Sequence, residues 1–370
     1  MMKKKILFLV QLPPPVHGSS TMNSYVVNSK IIQSEYECQV MSLQFASSIE
    51  DIGKMNVKKI WRSFAYLYRL YRKLRSFKPH LVYFTIAPHG AAFYRDFLLG
   101  IMIKAWGGKI LFHLHGQGFR SNAENNKLYQ YLCKKLFRNS YCIHLSNILS
   151  KDVPFTGIKK RYIVPNGILQ ASIEPIKEAA GDVVNLLYLS NYVRSKGILD
   201  LIDAIETVVK STQRIHLKLV GKPFDLSIEY LNDYISKRGL SPFVEVCGPK
   251  YGEAKLKELT KTAIFVFPTY YPNEAFPLVL LEVFEFGIPC ISTTHGGIPD
   301  IIKNDVTGYL VSPRDKQAIA ERIIFLVNHP EVRERMGQKA RKTFLDKYTF
   351  SHFEKNIIDV FNDIFEKQLD

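Results

Sequence analysis

Residues 274–282 read E-A-F-P-L-V-L-L-E and join a predicted strand to a predicted helix. The apolar run at residues 263–268 predicts a short buried strand, and the apolar residues from Leu278 onward predict a helix. Pro277 fits a helix start, where its missing N–H costs nothing. Ligands of parallel α/β sheets bind beyond the carboxyl ends of the strands, so this junction is the first place to look for chemistry.

The two glutamates at the ends of this stretch predict a ligand with hydroxyl groups. A carboxylate accepts hydrogen bonds from vicinal hydroxyls, as acidic residues do with ribose in nucleotide-binding folds. Free N–H groups at a helix start can in addition face a phosphate. Glu274 or Glu282 alone is more simply explained as a solvated surface residue. With Phe276 and Pro277 between them, we interpret both as ligand-binding residues.

Strands and helices alternate on both sides of this junction. Strands are predicted in the second half at residues 184–190, 215–220, 243–247, 263–268 and 289–293, and helices at residues 197–210, 226–238, 253–260 and 278–286. The first half shows predicted strands at residues 5–11, 81–86 and 110–115, with a helix at residues 21–32 after the first. The alternation predicts an α/β fold of two doubly wound, Rossmann-like domains. We expect them at residues 1–170 and 171–347, with a hinge at residues 165–182 and a terminal helix at residues 348–370 that packs back on the first domain.

The composition excludes several classes of protein. The chain has 370 residues, which suits two domains. No apolar run approaches the roughly 18 residues that a membrane-spanning helix needs. The five cysteines are scattered and form no CxxC pair. This pattern argues against a disulfide framework or a zinc ribbon and is typical of reduced thiols in a cytoplasm.

The net charge of +16 is concentrated in the first half of the chain. Residues 1–170 contain 25 Lys/Arg and 7 Asp/Glu, whereas residues 171–370 contain 25 Lys/Arg and 27 Asp/Glu. Such a field attracts polyanions, either nucleic acid or an anionic membrane surface. No RNP, KH, zinc-finger or helix-turn-helix signature is present, so nucleic acid is the weaker interpretation.

The region from Lys54 to Lys78 carries much of this charge, with nine Lys/Arg and no Asp/Glu. Helical spacing places on one side Lys58, Arg62, Arg69 and Lys73, and on the opposite side Ile60, Phe64, Leu67, Tyr71 and Leu74. The apolar side predicts a helix docked on the first sheet. Two interpretations of the basic side stay open: it is merely solvated, or it contacts anionic lipid.

Several motifs together resemble a known family. The pattern E-x-F-P with a second glutamate eight positions on is followed by G-I-P-C-I-S-T-T-H-G-G-I-P-D at residues 287–300 and T-G at residues 307–308. In order before it come P-P-V-H-G at residues 14–18, H-L-H-G at residues 113–116, V-P-N-G-I at residues 164–168 and S-K-G at residues 195–197. This set is similar to the GT4-type family of retaining glycosyltransferases. That family has the GT-B fold, in which two Rossmann-like domains face a central cleft.

The resemblance implies a role for each matching residue of the second domain. Glu282 would bind the ribose hydroxyls of a nucleoside diphosphate, and Glu274 would contact hydroxyls of the transferred sugar. Phe276 and Pro277 belong to the same donor-binding motif. Lys196 would neutralise the diphosphate leaving group, the electrostatic work that a metal does in other transferases.

The resemblance also implies two site residues in the first domain. His115 would lie near the donor sugar, and Gly18 would let the backbone approach the diphosphate or the acceptor closely. A turn glycine after three prolines is the simpler alternative for Gly18. We expect His113 and His115 to point in opposite directions, with His115 toward the cleft and His113 in the core.

The chain departs from the family at Asn191, where an arginine is usual. Asparagine supplies no charge. Two alternatives stay open: Arg194 replaces the arginine from a position two residues before Lys196, or Lys196 holds the phosphates alone.

The resemblance implies that the chain transfers a sugar from a nucleoside diphosphate sugar with retention of the anomeric configuration, using the leaving phosphate as the base. No cofactor is expected beyond this substrate, and no metal, since D-x-D is absent. The basic first half suggests a lipid-linked glycan acceptor at the inner face of a membrane, and therefore a cytoplasmic or peripheral enzyme of capsule or O-antigen synthesis. A sugar-nucleotide epimerase on the same fold and a non-enzymatic polyanion-binding protein are the alternatives.

Overall fold

The computed structural model describes residues 3–43, 57–172 and 182–366, with the backbone alone at residues 57–64. The chain divides into two units, one made of Met1–Asn166 and Phe353–Asp370 and the other of Gly167–His352. The expected hinge at residues 165–182 lies in part outside the described residues, because residues 173–181 are not among them. The same holds for residues 54–56 at the start of the basic region.

The first unit contains a parallel sheet of six strands. Its strands β1–β6 are Lys5–Val10, Glu37–Ser42, Leu81–Thr85, Lys109–Leu114, Tyr141–His144 and Lys160–Ile163. Its helices α1–α7 are Gly18–Val27, Lys30–Glu35, Val57–Phe77, Gly90–Ala105, Phe119–Asn125, Lys127–Phe137 and Asn147–Ser150. The strands lie in the order β2-β1-β3-β4-β5-β6, and all neighbours are parallel.

The second unit contains a second parallel sheet of six strands. Its strands β7–β12 are Val184–Leu189, Ile215–Val220, Val244–Gly248, Ile264–Phe267, Cys290–Thr293 and Gly308–Val311. Its helices α8–α14 are Ile198–Ser211, Ile228–Ser236, Gly252–Lys261, Leu278–Glu285, Ile298–Ile301, Lys316–Asn328 and Pro330–Lys347, and the last helix of the chain, α15, is Phe350–Glu366. The strand order is β12-β11-β10-β7-β8-β9. The doubly wound α/β prediction is confirmed.

Helices cover both faces of the first sheet, which explains why its central strands are continuous apolar runs. Leu9 and Phe84 point into a core cluster that also contains buried residues of α3, α4 and α6. Phe8 and Tyr83 point to the other face, where the ring of Phe361 in α15 lies 6.4 and 6.1 Å from theirs. Each strand therefore contributes alternate side chains to two cores.

The C-terminal helix α15 packs on the first unit through polar contacts as well. Asp363 accepts hydrogen bonds from Lys160 Nζ at 2.7 Å and from the hydroxyl of Tyr162 at 2.6 Å. The hydroxyl of Tyr36 donates to Asn362 Oδ1 at 2.6 Å. Residues 348–352, which we assigned to the terminal segment, group with the second unit instead.

The buried side of α3 agrees with the predicted one at Leu74 and Leu67, which both pack in the core cluster, and departs from it at Tyr71. The side chains of Ile60 and Phe64 lie outside the described part of the chain. Tyr66, Leu70, Leu74 and Phe77 are its buried residues among those whose side chains are described. Tyr71, expected on the docked side, is 41% exposed and receives a hydrogen bond from Arg75. The helix is thus rotated slightly from the predicted orientation. The sequence could not reveal this rotation, because a tyrosine is compatible with the buried and the exposed side of a helix alike.

The sequence did not reveal some of the elements. The predicted helix at residues 21–32 is two helices, α1 and α2, separated at Asn28 and Ser29, and the Ser29 side chain caps α2 by accepting from Ile32 N. Strands β2, β5, β6 and β12 were not predicted. β2 lies at the sheet edge and is only partly buried, so it lacks an apolar run. Within the described ranges, no helix combines the length and apolar character that crossing a membrane requires.

Candidate functional site

The order of the second sheet creates a site between β7 and β10. The chain runs from β7 outward through β8 and β9 and then returns to place β10 on the other side of β7. Neighbouring strands whose connections leave in opposite directions open a crevice at their carboxyl ends, where ligands of such sheets bind. The loop after β7 carries Lys196, and the loop after β10 carries Glu274.

A close backbone contact holds these two loops together. After β7 the chain forms a 3-10 turn at Arg194–Lys196, and Gly197 follows with a φ of 79°. A Cβ atom at Gly197 would lie 2.2 Å from the carbonyl oxygen of Pro268 at the end of β10. The N–H of Tyr270 donates to Ser195 O at 2.8 Å. The glycine of the S-K-G motif thus lets the lysine-bearing turn rest against the neighbouring loop.

Lys196 and Glu274 form an ion pair in this crevice. Their side chains are 17% and 11% exposed. The Lys196 ammonium also lies 4.8 Å from the ring centre of Tyr271 and 5.5 Å from that of Phe267. The aromatic rings exclude water on one side and attract the cation through their π faces. Charges held in such a partly dry place act more strongly on a ligand than charges in bulk water.

The H-G-G motif supports the acidic loop from behind. Gly296 has a φ of 57°, and a Cβ there would lie 2.2 Å from the carbonyl oxygen of Glu274. Gly297 N donates to Ala275 O at 2.8 Å, and His295 Nε2 lies 2.7 Å from Tyr271 O. These contacts fix the backbone on which Glu274 is mounted.

Phe276 and Pro277 have different structural roles in this loop. Phe276 is buried and its ring packs edge-on against Tyr348, so its side chain positions the loop. Pro277 is the N-cap residue of α11, one position earlier than a first helical residue, and no side chain caps this helix there. The start of α11 therefore leaves N–H groups without a side-chain acceptor at the N-cap.

Glu282 borders a cleft of about 200 Å³ next to this crevice. The cleft is lined by Leu189, Ser190, Asn191, Val220, Gly221, Lys222, Pro249, Lys250, Tyr251, Lys255, Val279 and Glu282. Glu282 Oε1 lies 2.9 Å from Lys255 Nζ. Asn191 lines this cleft together with Glu282, and Lys196 pairs with Glu274. Because Asn191 and Lys196 belong to the same loop, both glutamates lie beside the segment that follows β7.

Three lysines of this cleft were missed by the sequence reasoning. Lys222 follows Gly221 at the end of β8, and Lys250 follows Gly248 and Pro249 at the end of β9. Lys255 comes from α10 and pairs with Glu282. A lysine one or two positions after a strand-end glycine was the available signal for Lys222 and Lys250. Nothing local pointed to Lys255.

Arg194 makes its contacts with Tyr230 and Asp225. Its guanidinium forms a hydrogen bond with Tyr230 of α9, which raises the pKa of the arginine. Its backbone N–H donates to the carboxylate of Asp225. Arg194 is therefore engaged with Tyr230 and Asp225, and its replacement of the arginine expected at Asn191 stays a prediction.

The first-unit candidates lie after β1 and β4. Gly18 is the first residue of α1, whose N-cap His17 accepts a hydrogen bond from Ser20 N. His115 follows β4, and neither ring nitrogen has a hydrogen-bond partner among the described residues. Burial, with a smaller effect of His17, lowers the pKa of His115 to about 3. Its imidazole is therefore neutral at physiological pH.

The expectation that His113 and His115 point in opposite directions is wrong. Their ring centres are 3.9 Å apart, since residues two apart in an extended chain share a face. His113 is fully buried and hydrogen bonded to the Tyr83 hydroxyl, so it is the core histidine that we expected. Among the described residues, no three His, Cys, Asp or Glu side chains are grouped so as to hold a metal ion.

The second unit matches a known family. Residues 171–343 match the family described as Glycosyl transferases group 1. The chain is 29% identical over 184 residues to N-acetyl-alpha-D-glucosaminyl L-malate synthase of Bacillus anthracis, which covers 48% of this chain and 46% of that protein. It is 27% identical to O-antigen chain mannosyltransferase C of Escherichia coli over 65% of this chain and 66% of that protein. In the first of these matches, the chain spans about half the length of its curated relative.

A solved structure shows the same fold along nearly all of the chain. The Anabaena protein HepE in complex with UDP superposes with a TM-score of 0.75 over 97% of this chain and 100% of that one, at 15% identity. At this identity the likeness establishes the fold alone, which is GT-B with two Rossmann-like domains. The chain thus has the GT-B fold, and its residues 171–343 match the family described as Glycosyl transferases group 1.

Proposed function

We propose that the chain transfers a glycosyl group from a nucleoside diphosphate sugar to a saccharide acceptor in the synthesis of a surface polysaccharide. The observation that carries the proposal is the ion pair of Lys196 and Glu274 at the crevice between β7 and β10, with Glu282 in the adjoining cleft. One cation and two carboxylates thus lie beside the loop that follows β7. A nucleoside diphosphate sugar offers phosphates to the cation and hydroxyls of its sugar and its ribose to the two carboxylates. The match of residues 171–343 to a glycosyltransferase family supports the same conclusion.

The nucleoside would occupy the cleft beside Glu282. Its ribose hydroxyls would donate to the Glu282 carboxylate, which has acceptor sites left beside the one that Lys255 uses. The base would lie among the aliphatic and aromatic parts of Val220, Pro249 and Tyr251, which also line the cleft. The lining suits uridine or guanosine alike, and the structural relative HepE was solved with UDP.

The diphosphate and the sugar would meet Lys196 and Glu274. A lysine ammonium has three donors, so it can keep one contact with Glu274 and direct another to the phosphate that becomes the leaving group. Negative charge on that phosphate grows as the glycosyl bond breaks, so the fixed cation stabilises the transition state more than the ground state. N–H groups at the start of α11 would add to this effect.

We propose that the transfer retains the anomeric configuration and needs no metal, with the leaving phosphate acting as the base. Lys196 then does the electrostatic work that a divalent cation does elsewhere. The neutral imidazole of His115 and the backbone at Gly18 belong to the acceptor-side unit and would contact the sugar or the acceptor.

We propose a lipid-linked glycan as the acceptor. Residues 1–170 carry the excess of positive charge of the chain, which suits a substrate held at an anionic membrane surface. One relative is named an O-antigen chain mannosyltransferase, an activity of the same kind. This points to capsule or O-antigen assembly at the inner face of a membrane.

A thermal-shift panel of nucleoside diphosphates and their sugars tests the proposal, since a ligand that binds the folded state stabilises it by mass action. We expect the nucleotides of one particular base to raise the melting temperature of the wild type. The same nucleotides should not raise the melting temperature of Glu282→Gln. A stabilising sugar nucleotide is then incubated with and without membrane extract. Nucleotide release that requires the extract supports transfer, whereas epimerised sugar nucleotide without any acceptor would identify an epimerase.

A further inference from the structure

Three helices of the first unit form one layer on the same side of its sheet. The helices α3, α4 and α6 bury Leu70, Leu99 and Leu136, among others, in a single core cluster with strand residues. Helix α4 lies between the other two and packs against both. The sides of these helices that face away from the cluster form one outward surface. We call it the outer helix surface, and among the residues whose side chains are described it exposes, with others, Tyr68, Arg69, Tyr71, Arg72, Arg75, Tyr94, Leu98, Lys127, Leu128, Tyr131, Lys134 and Lys135.

The outer helix surface exposes large apolar side chains on all three helices. Tyr68 is 62% exposed, Leu98 52%, and Leu128 and Tyr131 are each 60% exposed. Single exposed apolar residues are ordinary, but a group of them on adjacent helices marks a surface that meets a partner or a membrane. The exposed residues of α4, which include Ala91, carry no charge.

Cations flank this apolar centre, and no exposed carboxylate balances them on these helices. Helix α3 contributes Arg69, Arg72 and Arg75, and α6 contributes its three exposed lysines. Neither helix contains Asp or Glu. The one acidic residue of α4, Asp96, is fully buried and paired with Arg95 at 2.6 Å. The surface therefore combines positive charge with apolar side chains.

We propose that the outer helix surface docks on an anionic lipid bilayer. Tyr68, Tyr131 and the exposed leucines would enter the headgroup region, where amphipathic helices bury their apolar sides. The flanking lysines and arginines would lie at the level of the lipid phosphates, each favoured by about 1 kcal/mol near such a surface. The docking surface therefore extends over three helices with α4 at its centre, whereas the charge pattern singled out only the α3 region.

The exposed leucines decide between a bilayer and a nucleic acid as the partner. Arginine and lysine serve a phosphate backbone equally well, and tyrosine can stack on bases. Leu98 and Leu128 gain free energy only by leaving water for an apolar phase. The proposal goes beyond glycosyl transfer and does not depend on it, because no residue of this surface belongs to the proposed donor site.

Sedimentation of the full-length protein with vesicles tests the docking surface. We expect binding to vesicles of equal parts phosphatidylcholine and phosphatidylglycerol, no binding to phosphatidylcholine alone, and weaker binding as salt rises. The triple variant Arg69→Gln, Arg72→Gln, Arg75→Gln should bind about 100-fold more weakly. The double variant Leu98→Ser, Leu128→Ser should lose about tenfold or more.

Matched substitutions elsewhere serve as controls. Leu345→Ser and the double variant Lys339→Gln, Lys347→Gln change exposed residues of the same kinds on α14 in the second unit, so both should bind vesicles like the wild type. Glu282→Gln should also bind vesicles normally, while its weaker donor binding slows transfer at low donor concentration. This separates a failure of the docking proposal from a failure of the proposed activity.

The docking proposal is overturned if the wild type ignores anionic vesicles or binds both vesicle types equally. It is also overturned if polyuridylate is bound in place of lipid, or if the surface variants match the α14 controls. Should a variant unfold, the test rests on the wild type, whose vesicle binding must require anionic lipid and weaken as salt rises. Near-normal transfer by the triple variant to a detergent-solubilised acceptor would show that the surface acts in docking and not in chemistry.

Discussion

Lys196 and Glu274 are 78 residues apart in the chain and form an ion pair that joins the loop after β7 to the loop after β10. The pair exists because the sheet order places β10 beside β7. It sets a cation and a carboxylate side by side at the crevice where the connections leave in opposite directions. If the proposed function is right, the same two side chains receive the leaving phosphate and the transferred sugar.

Replacing the cation should slow the chemical step. Because Lys196 is the cation at this ion pair, we expect Lys196→Gln to reduce kcat by about 10²–10³-fold, the usual loss when one electrostatic group of a transition-state site is removed. Nucleotide release in steady state measures this. Lys210→Gln, on the exposed end of α8, is the matched control and should keep the wild-type kcat. A Lys196→Gln variant with near-normal kcat would remove the lysine from the mechanism.

Replacing the carboxylate of the cleft should weaken recognition of ribose. We expect Glu282→Gln to bind the nucleoside diphosphate about 10- to 100-fold more weakly, since hydrogen bonds to charged groups contribute more than neutral ones. Calorimetry with the ribonucleotide and its 2′-deoxy analogue sharpens the test. The wild type should prefer the ribonucleotide, and the variant should largely lose that preference. An unchanged preference would place the ribose elsewhere.

A methyl group at the lysine-bearing turn should destabilise the second unit. Gly197→Ala combines a positive φ with a Cβ that would lie 2.2 Å from Pro268 O. We expect the free energy of unfolding to fall by about 3 kcal/mol. Gly239→Ala, at a φ of 68° but with nothing within 4 Å of the new atom, should cost about 1 kcal/mol. Urea unfolding of both variants measures the difference, and equal losses would show that the contact with Pro268 is unimportant.

Mild acid should destabilise the first unit. Burial lowers the pKa of His115 to about 3 and that of His144 to about 4, and it holds the pKa of His113 well below its ordinary value of 6.5. At a pH between these lowered pKa values and 6.5, the histidines of the unfolded chain bind more protons than those of the folded one. The free energy of unfolding is therefore highest above pH 6.5 and falls as the pH drops, by at most about 1.4 kcal/mol per pH unit for each histidine.

Urea unfolding at a series of pH values from about 7 to about 5 measures this slope. His144→Gln removes one of the three groups and should flatten the dependence, since the glutamine cannot take up a proton in the unfolded state. A profile that is flat in the wild type, or equally steep in the variant, would show that these histidines are not kept neutral by the fold.

Local pattern was enough to predict most of the central strands. The predicted strands at residues 5–11, 81–86 and 263–268 centre on apolar runs because the strands β1, β3 and β10 are buried on both faces, and that requirement is visible in the residues themselves. The edge strand β2 is partly exposed and carries no such run. The rotation of α3 was missed because Tyr71 suits either a core or a surface equally well.

Residue order along the chain determined the α/β alternation and the strand-end position of the loops, since backbone propensity and apolar periodicity act between near neighbours. It also singled out Glu274 and Glu282 as carboxylates beside a strand end, whereas Lys196 became a candidate only through the resemblance to the GT4-type family. The pairing of Lys196 with Glu274, the cleft lysines and the shared face of α3, α4 and α6 depend on which strands and helices become adjacent. Adjacency arises when the whole chain buries its apolar surface. Contacts between residues far apart in the chain therefore emerged only in the folded molecule.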